Sequence, residues 1–247
     1  MARTRRMGQA RVEDVALELQ GSDPVEAFVV NPASGAAHAG VLFLHWLGEH
    51  HNDRTQLLPE AVALAAAGVR SVLPAGRLPW LLPPTGADAD AAAIELEQSR
   101  IGRAFEELVR PLGAGAPLAM VGHDFGAMHG LPFAVGQPRL KAIAVIAAVP
   151  RWADWFLPFW PIEGDPIEYR RRLAPLDPIA AMPEIKADLL FQYSKRDFYI
   201  APMTARELAR AAGREVTLEW YEADHAMRSP RARAVRAAFL RRTLALD

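Results

Sequence analysis

The sequence predicts an α/β protein: a mostly parallel central sheet flanked by helices, with a short lid insertion. Three observations predict it. Short apolar runs alternate with longer stretches of helical pattern, as in sheets covered by helices on both faces. A Gly-x-Asp-x-Gly turn joins a buried strand to a helix near the middle of the chain. The chain has 247 residues, 51% hydrophobic and 23% charged, which suits one large core. Residues 1–247 are therefore expected to form a single domain, with 1–10 a flexible start and the lid at about 150–183.

The elements follow in order. Runs at 15–19 and 27–30, separated by Gly21-Ser22-Asp23-Pro24, predict an antiparallel start. Residues 40–45 read as a buried strand that ends in a polar loop. A helix over roughly 55–67 stops at Gly68, and a strand over 69–73 follows. Asp88 is the expected N-cap of a helix over roughly 88–109. A strand at 118–121, a helix from near Phe125 and a strand at 142–149 continue the alternation. Residues 150–183 change texture, being rich in Trp, Phe and Pro, and read as an insertion on one sheet edge. Strands at 188–193 and 216–221 and an arginine-rich helix over about 230–244 close the series.

Composition excludes several functions. A formal charge of −1 gives no field for nucleic acid or an acidic membrane surface. With no cysteine there is no disulfide framework, thiolate metal site or cysteine nucleophile. The basic start lacks a following apolar segment of the signal-peptide kind, and no apolar run reaches membrane-spanning length. The expected setting is cytoplasmic. Glu49-His50-His51, with His45 upstream, imitates a metal cluster but falls in a loop without ligand spacing, so neither metal nor cofactor is expected. The arginines of 231–242 and Arg170 to Arg172 are read as solvated faces.

The most informative stretch is Met120-Val121-Gly122-His123-Asp124-Phe125-Gly126. A turn this sharp needs small residues at Gly122 and Gly126, and it pushes Asp124 out at the carboxyl end of the sheet, where ligands bind in such folds. The bland alternative is that Asp124 merely caps the helix. Partners should follow in the order acid, then histidine. Asp197 comes directly after the strand at 188–193, and His225 lies between the last strand and the last helix.

On these residues the chain resembles the α/β-hydrolase superfamily over nearly its whole length. An aspartate at the elbow resembles the haloalkane and haloacid-type dehalogenases and the epoxide hydrolases, and Gly-His-Asp-Phe-Gly-Ala is similar to the epoxide-hydrolase form. The proportions resemble the dienelactone-hydrolase-like branch, which normally carries Cys or Ser at that position. The first resemblance implies a hydrolase in which Asp124 attacks an epoxide or carbon–halogen carbon, forming an aspartyl ester. His225, oriented by Asp197, would then activate water. Backbone N–H groups of Phe125 and of the loop at Trp46 and Leu47 would form the oxyanion hole.

His45, Trp80, Trp152, Trp155 and Tyr169 are expected to line the pocket of a small-molecule substrate, with a homodimer contact as the alternative for the aromatic lid. His123 is expected to pack under the oxyanion loop. An epoxide would need lid tyrosines as proton donors, and the lid has Tyr169 alone; a halide would need Trp donors, and the dehalogenases' Trp after the aspartate is here Phe125. Two other readings stand beside this one. The chain is an ester- or lactone-hydrolysing relative of the dienelactone hydrolases, or a hydrolase relative that binds a ligand or partner without turnover.

Overall fold

The computed structural model describes residues 3–46, 54–76 and 83–246. Strands β1 (Arg3–Met7), β2 (Ala10–Leu17) and β3 (Val25–Pro32) form an antiparallel meander. β3 pairs antiparallel with β5 (Val69–Pro74). From there every pairing is parallel, through β4 (Ala39–Leu44), β6 (Leu118–His123), β7 (Leu140–Ile146), β8 (Asp188–Ser194) and β9 (Thr217–Tyr221). The sheet order is β1-β2-β3-β5-β4-β6-β7-β8-β9. Every residue of β4, β5 and β6 is buried, which is why these strands read as continuous apolar runs.

Two expectations at the start need correction. Residues 3–7 are not a flexible lead but a strand in register with β2, Arg3 facing Asp14 and Met7 facing Ala10. The first predicted strand begins at Ala10, not at 15. Only Ala10, Val12 and Leu17 of β2 are buried, and the charged Arg11, Glu13 and Asp14 hide the strand from a search for apolar runs.

Helices α1 (Leu58–Ala65), α2 (Ala87–Val109), α3 (Phe125–Ala134), α7 (Pro202–Arg210) and α8 (Pro230–Thr243) flank the sheet. The N-cap of α2 is Gly86, not Asp88, which pairs instead with Arg172 at 2.8 Å. Asp90, one turn in, accepts from the Thr85 amide (3.0 Å) and hydroxyl (2.8 Å). α7 escapes the sequence reading altogether.

The insertion contains α4 (Trp152–Phe156), α5 (Pro166–Leu173) and α6 (Pro178–Ala181). Asp177 accepts from the Trp152 amide at 2.9 Å and ties the start of α4 to α6. Arg170 and Arg171 pair with Asp154 and Glu168. Arg236 of α8 corrects the picture of a wholly solvated face. Its buried guanidinium makes a two-pronged pair with Glu60 of α1 and also donates to Gln192 of β8. Among the described residues no helix is long and apolar enough to cross a membrane.

Candidate functional site

β6 ends at His123 and α3 begins at Phe125, so a single residue makes the turn. That residue, Asp124, has φ +52° and ψ −119°, a backbone state that costs a side-chain-bearing residue on the order of 1–3 kcal/mol. The flanking glycines are steric necessities. A Cβ at Gly122 would lie 2.6 Å from the Cα of Ala127, and one at Gly126 would strike the carbonyls of Leu44 and His45. The Asp124 side chain makes no capping hydrogen bond to α3, so the capping alternative does not describe it.

The strand ends gather three side chains at one place. His225, on the loop after β9, sets Nδ1 2.9 Å from Oδ2 of Asp197, on the loop after β8. Its Nε2 lies 3.7 Å from Oδ2 of Asp124. Asp197 is also a turn residue: its Oδ1 accepts from the amides of Tyr199 (2.9 Å) and Ile200 (3.1 Å), which fixes the carboxylate that faces His225. The carboxylate oxygens of Asp124 and His225 Nε2 are buried, and at 3.7 Å the two groups face each other beyond ordinary hydrogen-bond length. The histidine loop carries a second unusual backbone, Met227 at φ +51°.

Burial raises the proton affinity of Asp124, while His225 and the Phe125 amide pull the other way. For His225 burial favours the neutral ring, but Asp124 and Asp197 outweigh it and push the pKa up to about 10. The two carboxylates thus favour the charged form of the ring.

His123 forms a different kind of link. Its Nε2–H donates to the His225 carbonyl at 2.9 Å, and its Nδ1 accepts from the Gln56 side-chain amide. Gln56 in turn accepts the Trp46 backbone N–H at 3.0 Å. The Trp46 ring stacks on His123, centroids 5.4 Å apart and 6° from parallel. His123 thus packs against the loop after β4 and also bonds it to the histidine loop. Gln56 carried no sequence signal, because a lone glutamine before a helix has many uses.

The sequence-predicted site residues divide. Phe125 sits at the first position of α3, whose early amides lack intrahelical acceptors. Trp46 has already committed its N–H to Gln56, so that donor is not open to a substrate. The His45 ring sets Nδ1 2.7 Å from the Trp46 carbonyl. Trp155 packs 5.6 Å from the His225 ring and 5.5 Å from Phe125, and its buried Nε1–H has no acceptor among the described residues.

Trp152 turns the other way, donating Nε1–H to the Leu176 carbonyl at 3.1 Å while its ring lies 4.6 Å from His129. Tyr169 is not in the site: its hydroxyl donates to Asp90 of α2 at 2.7 Å. Leu47, Trp80, Glu49, His50 and His51 lie outside the described residues.

No protein-family model matches the sequence, and a search of curated proteins found no match. Solved structures do match in fold. An acetyl xylan esterase from Paenibacillus sp. R4 superposes with a TM-score of 0.74 at 15% identity, over 98% of this chain and 88% of that one. A cold-adapted esterase from an Arctic intertidal metagenomic library gives 0.71 at 18% identity, over 99% and 97%. An acylaminoacyl peptidase from Pyrococcus horikoshii gives 0.71 at 15% identity, over 96% of this chain and 42% of that one.

These neighbours overturn the expectation of epoxide or carbon–halogen hydrolysis through an aspartyl ester, for they are esterases and peptidases. The lid tyrosine expected to serve an epoxide alkoxide, Tyr169, is bonded to Asp90 instead. The chain has the fold of the α/β hydrolases.

Proposed function

We propose that the protein hydrolyses a small ester or lactone by direct attack of water, with Asp124 as general base and His225 as general acid. The observation that carries this reading is the seat of His225 between two carboxylates, 2.9 Å from Asp197 and 3.7 Å from Asp124, which favours the charged ring. A serine triad needs a neutral imidazole to take the hydroxyl proton. An ester with an ionised aspartate at the elbow needs the reverse, because its alkoxide leaving group must be given a proton.

Chemistry also favours water over Asp124 as the attacking group. Carboxylate attack on an alkyl ester would lead to a mixed anhydride. The carboxylate is a far better leaving group than the alkoxide, so that adduct falls back to reactants. Water gives no such return. Asp124, made more basic by burial, takes one proton as the water oxygen bonds to the carbonyl carbon. The carbonyl π pair moves onto oxygen, then returns as the bond to the alkoxy oxygen breaks, and His225 Nε2 gives its proton to that oxygen. The products are the acid and the alcohol. One proton then passes from Asp124 to His225 and restores the starting pair.

Donors for the developing oxyanion are the Phe125 amide and the buried Trp155 Nε1–H. The test is a panel of 4-nitrophenyl, phenyl and alkyl acetates with small lactones. Wild type turns over members of it, and Asp124→Asn and His225→Ala each slow turnover by roughly 10²–10⁴. A silent wild type, or turnover that survives both substitutions, overturns the reading.

A further inference from the structure

Aromatic rings lead away from His225 in an unbroken series that ends in water. The Tyr199 ring stands edge-on to the imidazole at 5.1 Å, and Trp155 lies 5.6 Å from it. These two rings meet each other at 5.5 Å. Phe159 touches both, 6.3 Å from Trp155 and 5.7 Å from Tyr199, and Phe198 stands edge-on to Tyr199 at 5.3 Å. Burial falls steadily along the series. Trp155 is fully enclosed, Phe159 is 41% exposed and Phe198 is 84% exposed.

The outer rings contribute little to the core, and an exposed apolar cluster of this kind marks a binding surface. They come from two separate segments. Phe198 follows Asp197 on the acid loop, and Phe159 lies in the insertion just beyond α4. The two segments converge on Tyr199, whose ring stands against His225.

Resting on the ester reading above, we propose that this series binds an extended alkyl or aryl arm of the substrate ester, and that Phe159 and Phe198 set the preference for arm length. The continuity of ring contacts with His225 is what assigns the surface to substrate rather than to a second copy of the chain. A contact between copies has no need to begin at the reacting atoms. An arm threaded along the rings would carry its carbonyl toward Asp124.

The test compares 4-nitrophenyl esters from acetyl to octanoyl, which share one leaving group. In wild type kcat/KM rises with acyl length, on the order of tenfold or more across the series, as each buried methylene adds to binding. In the Phe159→Ser/Phe198→Ser double variant the octanoyl ester loses about tenfold more than the acetyl ester. Phe198→Ser alone, at an exposed position that leaves folding intact, shows part of the same selective loss. Equal losses along the series, or none, overturn the proposal. So does a change of oligomeric state on sedimentation with the length dependence intact, which assigns the rings to an interface between copies.

If wild type hydrolyses none of these esters, the ester reading fails, and a titration with octanoate followed by tryptophan fluorescence judges the binding track separately. Saturable binding that weakens in the double variant supports the track. Binding that is absent, or equal in both proteins, overturns it.

Discussion

His123 and His225 have ring centroids 5.8 Å apart, yet their surroundings push their proton affinities in opposite directions. His123 is fully buried; burial drives its pKa well below the ordinary value, and its two nitrogens are taken up by one donor and one acceptor, as a neutral ring requires. His225 is nearly as buried, but both its nitrogens face carboxylates, and it stays charged up to about pH 10. Burial alone does not decide a histidine's role. What decides it is whether the atoms opposite the ring can donate as well as accept. One histidine ties two loops together, and in the proposed mechanism the other supplies the proton.

The largest effect should come from making His225 more like His123. Asp197→Asn keeps an acceptor but removes a charge and allows the wrong tautomer, so kcat should fall by roughly 10³–10⁴. The alkaline limb of kcat should move from near pH 10 toward the ordinary imidazole value of 6.5. The same substitution has a stability signature. The folded-state pKa of His225 is raised from 6.5 to about 10, so its charge stabilises the fold fully below about pH 6.5 and that contribution is lost as pH rises through 10. The stability gap between wild type and variant, read by urea unfolding, should be widest at neutral pH and below and should shrink above pH 10.

A smaller effect separates two lid tryptophans by the same logic. Trp155→Phe keeps a ring beside His225 but deletes a buried N–H that has no acceptor among the described residues, and should lower kcat about a hundredfold with KM little changed. Trp152→Phe deletes an N–H already bonded to Leu176 and should leave kcat near wild type while reducing stability. Equal kinetic losses in both would mean that the indole N–H of Trp155 is not used.

His123→Phe should act on stability more than on chemistry. It strands the Gln56 amide and the His225 carbonyl, at a cost of about 1–3 kcal/mol each, and moves the urea midpoint more than kcat. A collapse of kcat as deep as that of His225→Ala would place His123 in the proton path. The smallest effect belongs to Tyr169→Phe, which unpairs one oxygen of Asp90 at a cost of about 1–3 kcal/mol and should leave the kinetics alone.

The legible parts of this sequence are those where local chemistry and tertiary role coincide. β4, β5 and β6 are buried on both faces, so their apolar runs announce them, and the elbow glycines stand where any Cβ would collide. Asp197 and His225 can be picked out because each follows a strand, and the fold brings both to Asp124. β1 and β2 are harder to see because β1 has no buried residue and β2 carries charges between its buried ones. Tyr169 looked like a pocket residue because its sequence neighbourhood is aromatic, but its hydroxyl answers to Asp90, on a helix far away in the chain. The engagement of the Trp46 amide by Gln56, and of Arg236 by Glu60, likewise depends on partners that only the folded chain assembles. The substrate's chemistry was misread because an aspartate at the elbow was given more weight than the overall proportions of the chain, and the structural neighbours are esterases and peptidases.

The most direct test of the account is a single-turnover reaction in ¹⁸O-labelled water with enzyme in excess over an ester that wild type hydrolyses, followed by mass spectrometry of the product and of the peptide bearing Asp124. Direct attack by water predicts one labelled oxygen in the product acid and none in Asp124. Label in the Asp124 carboxylate would mean that its own oxygen had attacked substrate, and would contradict the assignment of Asp124 as a base.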